Sequence, residues 1–419
     1  LAVAVTRHIA VVGGGVIGLA TAYYLRRGGA DVTVFERATI GSGASWGNTG
    51  WIAPTFSAPL PGPGMTAVAL RALARPNGSF YLSARHLPRL APWLWGFWRA
   101  SSASRHETGM RAIAGLALRA ECLYDELAAD GVQLEMRRSG VVHAFAQRSR
   151  AEAGLRKLLP LEDLGFQLPG TVIDGRQLRE IEPALGGVVT AGFVIPGERA
   201  LYPPSLLGGL RTRLVEMGAA IREHHPISGF QTDRAAITAV RCGSETVEID
   251  EMVLAAGVWT RPVAAKLGVR VPIEAGKGYS FTISPDPMPA HCLHLDEVKV
   301  AATPFGTGLR VGGTMELSGT GTNLNRRRLA AVARAAAPYL RGWRPESIRD
   351  EWMGMRPMTP DGLPVIGRSR KWSNLAIAAG HAMQGVMLAP PTGHLLARLV
   401  LGDADPEELR PFDPERFAR

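Results

Sequence analysis

Three glycines spaced as Gly13-x-Gly15-x-x-Gly18 stand between an apolar run at 8–12 (HIAVV) and a helix-forming run at 16–27. No other feature of the chain narrows its fold so far. A strand, a tight glycine turn and a helix make the first part of a βαβ unit. Gly28 and Gly29 end that helix, and 31–35 (DVTVF) supplies the next strand. Gly13 permits the turn, Gly15 lets a pyrophosphate approach the backbone, and Gly18 lets the helix lie on the strand. The N–H groups that open the helix then face the phosphates. Glu36 ends the second strand, where a carboxylate can accept from an adenosine ribose hydroxyl. The pattern predicts a dinucleotide site in a doubly wound α/β domain.

This fingerprint alone does not separate one adenine dinucleotide from another. The next segment is more selective. Glu36-Arg37 is followed by GSGAS at 41–45 and GNTG at 47–50. Small side chains let backbone lie against a flat ligand, which favours a flavin over a nicotinamide. The whole segment 41–64 is rich in Gly, Ser and Pro, and a loop of that length in a compact protein is usually functional.

With 419 residues the chain is too long for one ordinary core, and about two domains are expected. Residues 87–98 are aromatic and apolar, 112–129 have helical spacing and 140–146 read as a strand. This stretch is expected to form a layer outside the nucleotide fold. The nucleotide-type pattern returns after Pro203, with strands near Ile221, Ala239 and Glu248 and a strand at 251–255. Residues 270–320 are strand-rich, 325–340 are helical, and a last helix runs from near Gln384 to Leu401. The expected fold is a Rossmann-like domain, discontinuous in sequence, with a sheet-rich substrate domain. The first takes 1–80, 174–268 and 352–419; the second takes 81–173 and 269–351.

The formal net charge is +10, yet the densest basic run is Arg326-Arg327-Arg328. Scattered arginines point to a solvated surface, and no nucleic-acid partner is expected. Cys122, Cys242 and Cys292 are widely spaced, which argues against a disulfide framework, a zinc site or an iron–sulfur cluster. Residues 1–7 pass straight into a strand, without the regions of a secretory signal, and no 18-residue apolar run occurs. A cytoplasmic location is the expectation. The cluster Trp93, Trp95 and Trp98, close to Arg89 and Arg99, suits either a partner or inner-membrane surface or a helix packed on the inserted layer.

Several further segments occur in a telling order: VVGGGVIGLATAYYL (11–25), GSGASWGNTG (41–50), GKGYSFTI (276–283), LRVGGTME (309–316), GMRPMTPDGLPVIG (354–367) and AGHAMQGVMLAPPTG (379–393). In these the chain resembles the FAD-dependent D-amino-acid oxidase superfamily, specifically its D-amino-acid dehydrogenase and glycine oxidase branch, over nearly its whole length.

The resemblance implies roles by position. Gly13, Gly15, Val16, Ile17 and Gly18 would hold the pyrophosphate, and Glu36 and Arg37 would meet the ribose. Ala44, Ser45, Asn48, Thr49, Gly50 and Trp51 would line the path to the flavin. Ile227 would meet the adenine, and Ala256, Gly257 and Trp259 would border the cofactor. His381, Gln384, Gly385, Val386 and Met387 would border the isoalloxazine ring, with the positive end of the last helix facing it.

Arg356 would grip the substrate carboxylate. His381 reads either as a base or as a residue that orders backbone beside the flavin. Lys277 and Lys299 read as oxygen-activating, substrate-binding or solvated. Tyr279 reads as a pocket closure or as core. Some relatives attach flavin through Cys or His, where this chain has Gly354-Met355 and Trp46-Gly47, so non-covalent FAD is expected and no metal.

The implied reaction is oxidation of the C–N bond of a small amino acid, of the D series, to an imino acid. Water then yields the 2-oxo acid and ammonia. Oxygen, a quinone or another carrier would take the electrons. The alternatives are a secondary amine, glycine or cyclic imino acid substrate, or a flavin-bearing subunit of a larger complex.

Overall fold

The computed structural model describes residues 7–65, 78–403 and 405–418. A six-stranded sheet is built on the glycine-ended strand His8–Val12. Its order is Ala220–Arg222, Asp31–Phe35, His8–Val12, Glu251–Leu254, Leu375–Ala379 and Val365–Arg368. All neighbours are parallel except the last pair.

Side chains alternate across a strand. Ile9 and Val11 therefore enter a helical layer, while Ala10 and Val12 face a second layer that holds Ile237 and Val240. Those two come from the antiparallel meander Gly229–Asp233, Ala236–Cys242 and Glu245–Glu248. In the helical layer Val16–Arg27 crosses Gly385–Leu401 so closely that a Cβ on Gly393 would lie 2.6 Å from the backbone of Ala20.

The second large sheet has nine strands. From one edge run Arg349–Met358, Glu274–Ile283, Gly308–Leu317, Val300–Phe305 and Cys292–Leu295. Val141–Phe145, Ala191–Ile195 and Ile173–Asp174 complete the row, and Phe80–Leu82 adds to Gly308–Leu317. Helix Arg326–Ala336 covers one face, where Leu329 and Val332 meet Tyr279, Phe281 and Val311. On the other face Ser280 donates to the Gly47 carbonyl (2.8 Å), and Arg310 donates to those of Trp46 (3.0 Å) and Asn48 (3.3 Å). The small-residue loop is thus held between the two sheets.

The structure corrects the expected partition at two places. Helices Ala103–Ala117 and Ala120–Ala129 do not lie outside the nucleotide fold. Their apolar stripes put Ile113, Leu116, Leu123 and Leu127 into its helical core, and the Tyr124 hydroxyl donates to the Val386 carbonyl (2.5 Å). Conversely, Ala191–Ile195 pairs with Val141–Phe145, so the substrate sheet takes chain well beyond residue 173.

The tryptophan cluster divides. Trp93 is buried and donates to the Met358 carbonyl (3.1 Å), whereas Trp95 and Trp98 are exposed and stack on each other. Among the described residues no helix is long and apolar enough to cross a membrane.

Candidate active site

A cleft runs along the ends of the six-stranded sheet, past its glycine turn, to the start of helix Gly385–Leu401. At the turn Gly13 has φ +119°, and a Cβ there would lie 2.4 Å from the Ala255 carbonyl oxygen. A Cβ on Gly18 would lie 1.9 Å from the Gly13 carbonyl oxygen. Gly18 therefore acts from behind, by letting the helix pack on the turn. Gly13, Gly15, Val16 and Ile17 line the cleft itself. Ser45 Oγ accepts from the Val16 N–H (3.2 Å), which ties the small-residue loop to the helix start.

Glu36 lines the next part of the wall. Its Oε2 accepts from the Gly14 N–H (2.8 Å) and its Oε1 from the Ala38 N–H (2.9 Å). The carboxylate is held by backbone and cannot swing away. Arg37 and Trp259 close over the cleft, with the guanidinium carbon 3.7 Å from the indole centroid. Ile227, Ala256 and Gly257 complete this end, together with His225, Pro226 and Val263, which no motif signalled.

Ala44, Ser45, Asn48, His381, Gly385 and Val386 line the other end. His381 is 2% exposed; its Nε2 bonds to Thr392 Oγ1 (3.0 Å), and its Nδ1 is buried with no protein partner among the described residues. Burial pulls its pKa down to about 3, so the imidazole is neutral. The first bond from the helix interior runs from the Leu388 N–H to the Gln384 carbonyl (2.9 Å), and no side chain caps this end. The N–H groups that open the helix are thus left for another partner.

Gln384 donates away from the cleft to the Phe56 carbonyl (2.7 Å), and Met387 is buried in the helical core. Thr49, Gly50 and Trp51 stand behind the lining. The Thr49 carbonyl and the Trp51 indole both bond to Thr303, and a Cβ on Gly50 would strike the Leu201 carbonyl.

The edge strand Arg349–Met358 brings Met355 and Pro357 to the cleft wall, and Met358 bridges to His381. Arg356, between them, is partly buried and lies across Gly278, where a Cβ would be 2.2 Å from the guanidinium carbon. Its Nη1 donates to the Thr314 carbonyl (2.6 Å). Among the described residues no carboxylate pairs with it. Burial without such a partner pulls its pKa down to about 10, so it remains cationic at neutral pH.

Two of the candidate site residues are not brought to this place, and take the core and solvated alternatives that the sequence left open. Lys299 is exposed and paired with Asp296 (2.8 Å). Tyr279 faces the covering helix and donates to Glu316 (2.9 Å), because its strand turns that side chain to the back of the sheet. Lys277 is buried opposite Glu316, and burial lowers its pKa.

Glycines that exclude a Cβ, two helix N-termini and an orphaned buried Nδ1 fit a bound flavin dinucleotide. A family model described as FAD dependent oxidoreductase matches residues 8–399. The chain belongs to this FAD-dependent oxidoreductase family. Within the family fold it is similar to glycine oxidase from Geobacillus kaustophilus, at 22% identity and a TM-score of 0.75, covering 98% of this chain and 99% of that one. L-proline dehydrogenase from P. horikoshii is 21% identical at a TM-score of 0.74, with 99% and 98% covered. Iminodiacetate oxidase from Chelativorans sp. BNC1 is 21% identical at a TM-score of 0.74, with 97% and 99% covered. The family is FAD-dependent, and the glycine turn, Glu36 and His381 come together in this one cleft.

Proposed function

We propose that the protein oxidises the C–N bond of a small amino acid of the D series. The product is the imino acid, which water converts to the 2-oxo acid and ammonia. Arg356 carries this reading: a partly buried cation without an acidic partner among the described residues, two positions from the strand end that bridges to His381. A substrate carboxylate is the anion that such a guanidinium binds in two-pronged geometry.

Non-covalently bound FAD supplies the two-electron acceptor for the C–H bond beside the nitrogen. The protein supplies alignment. Arg356 fixes the carboxylate, so only rotation about the next bond is left to direct that C–H bond. Neutral His381 cannot repel the substrate's nitrogen, and its Nδ1 is open to one hydrogen bond from the cofactor. The uncapped start of Gly385–Leu401 favours negative charge at its end of the cleft. The GYS segment at 278–280 and MTPDG at 358–362 support the D series. The similar folds named for glycine, L-proline and iminodiacetate support a second reading, in which the substrate is glycine or a secondary amine.

An anaerobic panel of amino acids mixed with the purified holoprotein tests this. Bleaching of the flavin absorption by D-amino acids is the expected result, and admission of air then tells an oxidase from a dehydrogenase that needs a quinone or other carrier. Bleaching only by substrates without nitrogen would overturn the reading. Bleaching that requires an added protein would favour a subunit of a larger complex.

A further inference from the structure

We infer that Thr314 is a positioning residue for the substrate carboxylate: its carbonyl and its hydroxyl hold Arg356 and Arg328 in one arrangement and so set the aim of Arg356. This rests on the reading of Arg356 as the carboxylate anchor.

Thr314 follows two glycines in LRVGGTMEL (309–317) and has φ +63°. That region is sparsely populated by a β-branched residue, and such conformations persist only where the surroundings impose them. Here the surroundings are visible. Tyr279 pairs with Gly313 but Lys277 pairs with Glu316, so Thr314 and Met315 together stand opposite Gly278. This is a β-bulge, which bends the strand and re-aims the groups at the extra residue.

The bulge turns the Thr314 carbonyl toward a strand that is not its neighbour. Arg356 lies one strand further on, and its guanidinium reaches that carbonyl (2.6 Å) only because Gly278 has no side chain. On the other side the Thr314 hydroxyl accepts from Arg328. Arg328 is in turn paired with Glu316 (2.9 Å), which also accepts from Tyr279 (2.9 Å) and Ser318 (2.6 Å). The next N–H, of Met315, donates to the Ser79 carbonyl (2.7 Å). The Thr314 peptide is therefore fixed from both ends.

The chemistry of the partner matters. A carboxylate at this place would orient Arg356 but cancel its charge. A carbonyl orients it and leaves the charge for the substrate. Among the described residues Nη1 is the only nitrogen of this guanidinium with a hydrogen-bond partner, so the edge formed by Nη2 and Nε is left for a carboxylate.

Three variants of the FAD-loaded protein test this: Thr314→Val, which keeps the shape and loses the hydroxyl; Thr314→Gly, which tolerates the backbone angle and loses the hydroxyl; and Thr314→Ser, which keeps it. The probe is benzoate, titrated against the flavin absorption spectrum, with flavin content and Tm recorded for each protein. Val and Gly are expected to raise the benzoate Kd about tenfold, near 1.4 kcal/mol, and to raise KM for the amino acid more than they lower kcat. Ser is expected to stay close to wild type. Should Val fail to fold or to hold flavin, the contrast between Gly and Ser decides. Wild-type benzoate binding in the Gly variant would overturn the role of Thr314. Wild-type binding in Arg356→Ala would instead overturn the anchor, so the two failures are distinct.

Discussion

Glu36 Oε2 and the Gly14 N–H are joined at 2.8 Å, so the acidic end of one strand and the glycine turn of another form one rigid cradle. With the second bond from the Ala38 N–H, the carboxylate is set toward the cleft before any ligand arrives. Glu36→Ala should therefore weaken FAD binding more than it destabilises the fold. Charge-assisted hydrogen bonds of this kind are worth about 1.5–3 kcal/mol, so the FAD Kd should rise roughly ten- to a hundredfold. Flavin fluorescence titration of the apoprotein measures it. An unchanged Kd would remove Glu36 from the site.

The cleft lining contains no cysteine among the described residues; Cys122 is exposed, and Cys242 and Cys292 are buried elsewhere. Acid or heat denaturation should release intact FAD into the supernatant. Yellow colour that stays with the precipitated chain would show a covalent link.

Arg356→Ala should keep its FAD, since Arg356 lies beside the cofactor wall and is not part of its lining. Removing one partner of a buried charged pair costs about 3–5 kcal/mol, so kcat/KM for an amino acid should fall by at least about a hundredfold. Lys cannot reproduce the two-pronged contact, and Arg356→Lys should recover only part of the loss. An amine without a carboxylate should lose far less. Steady-state kinetics, normalised to flavin content, decide this; near-normal kcat/KM in the Ala variant would place the anchor elsewhere.

Glu198 is buried, with Thr55 bonded to its Oε1, and burial raises its pKa from 4.5 to about 8. Between those values the folded protein keeps a proton that the unfolded chain has released. The stability from this group is full below the unfolded pKa and is lost as pH rises through the folded one. Glu198→Gln, which stays neutral, should lose less Tm than wild type between about pH 5 and about pH 9. Parallel slopes in thermal melts across that range would show that Glu198 does not titrate as its burial implies.

His381 illustrates what was and was not legible. Its place beside the last helix could be read from AGHAMQG, but its two candidate roles could not be separated. The structure shows a neutral ring with one nitrogen bonded to Thr392 and the other without a protein partner among the described residues. Met355 and Pro357 were missed as wall residues: period-two alternation puts them on the strand face opposite to Arg356, so a site read around Arg356 gives no signal for them. His225 and Pro226 carry no such signal, because they reach the cleft only through the path of the chain after the Ala220–Arg222 strand.

The glycine turn, the acidic strand end and the two helices that start at the cleft are local features. Each needs only a few consecutive residues, so steric limits and periodicity write them directly into the sequence. The helical period at 112–129 was legible but its destination was not, since an apolar stripe does not say which core it will enter. Tyr279, Lys277 and Thr314 depend on a register slip between two strands whose paired residues lie 26 to 39 positions apart. A shift of one residue moves a side chain to the opposite face of a sheet, and nothing in either strand alone records it. Tertiary pairing therefore decided that Tyr279 turns to the core, that Thr314 turns its carbonyl outward, and that Arg356 meets that carbonyl and no acid among the described residues.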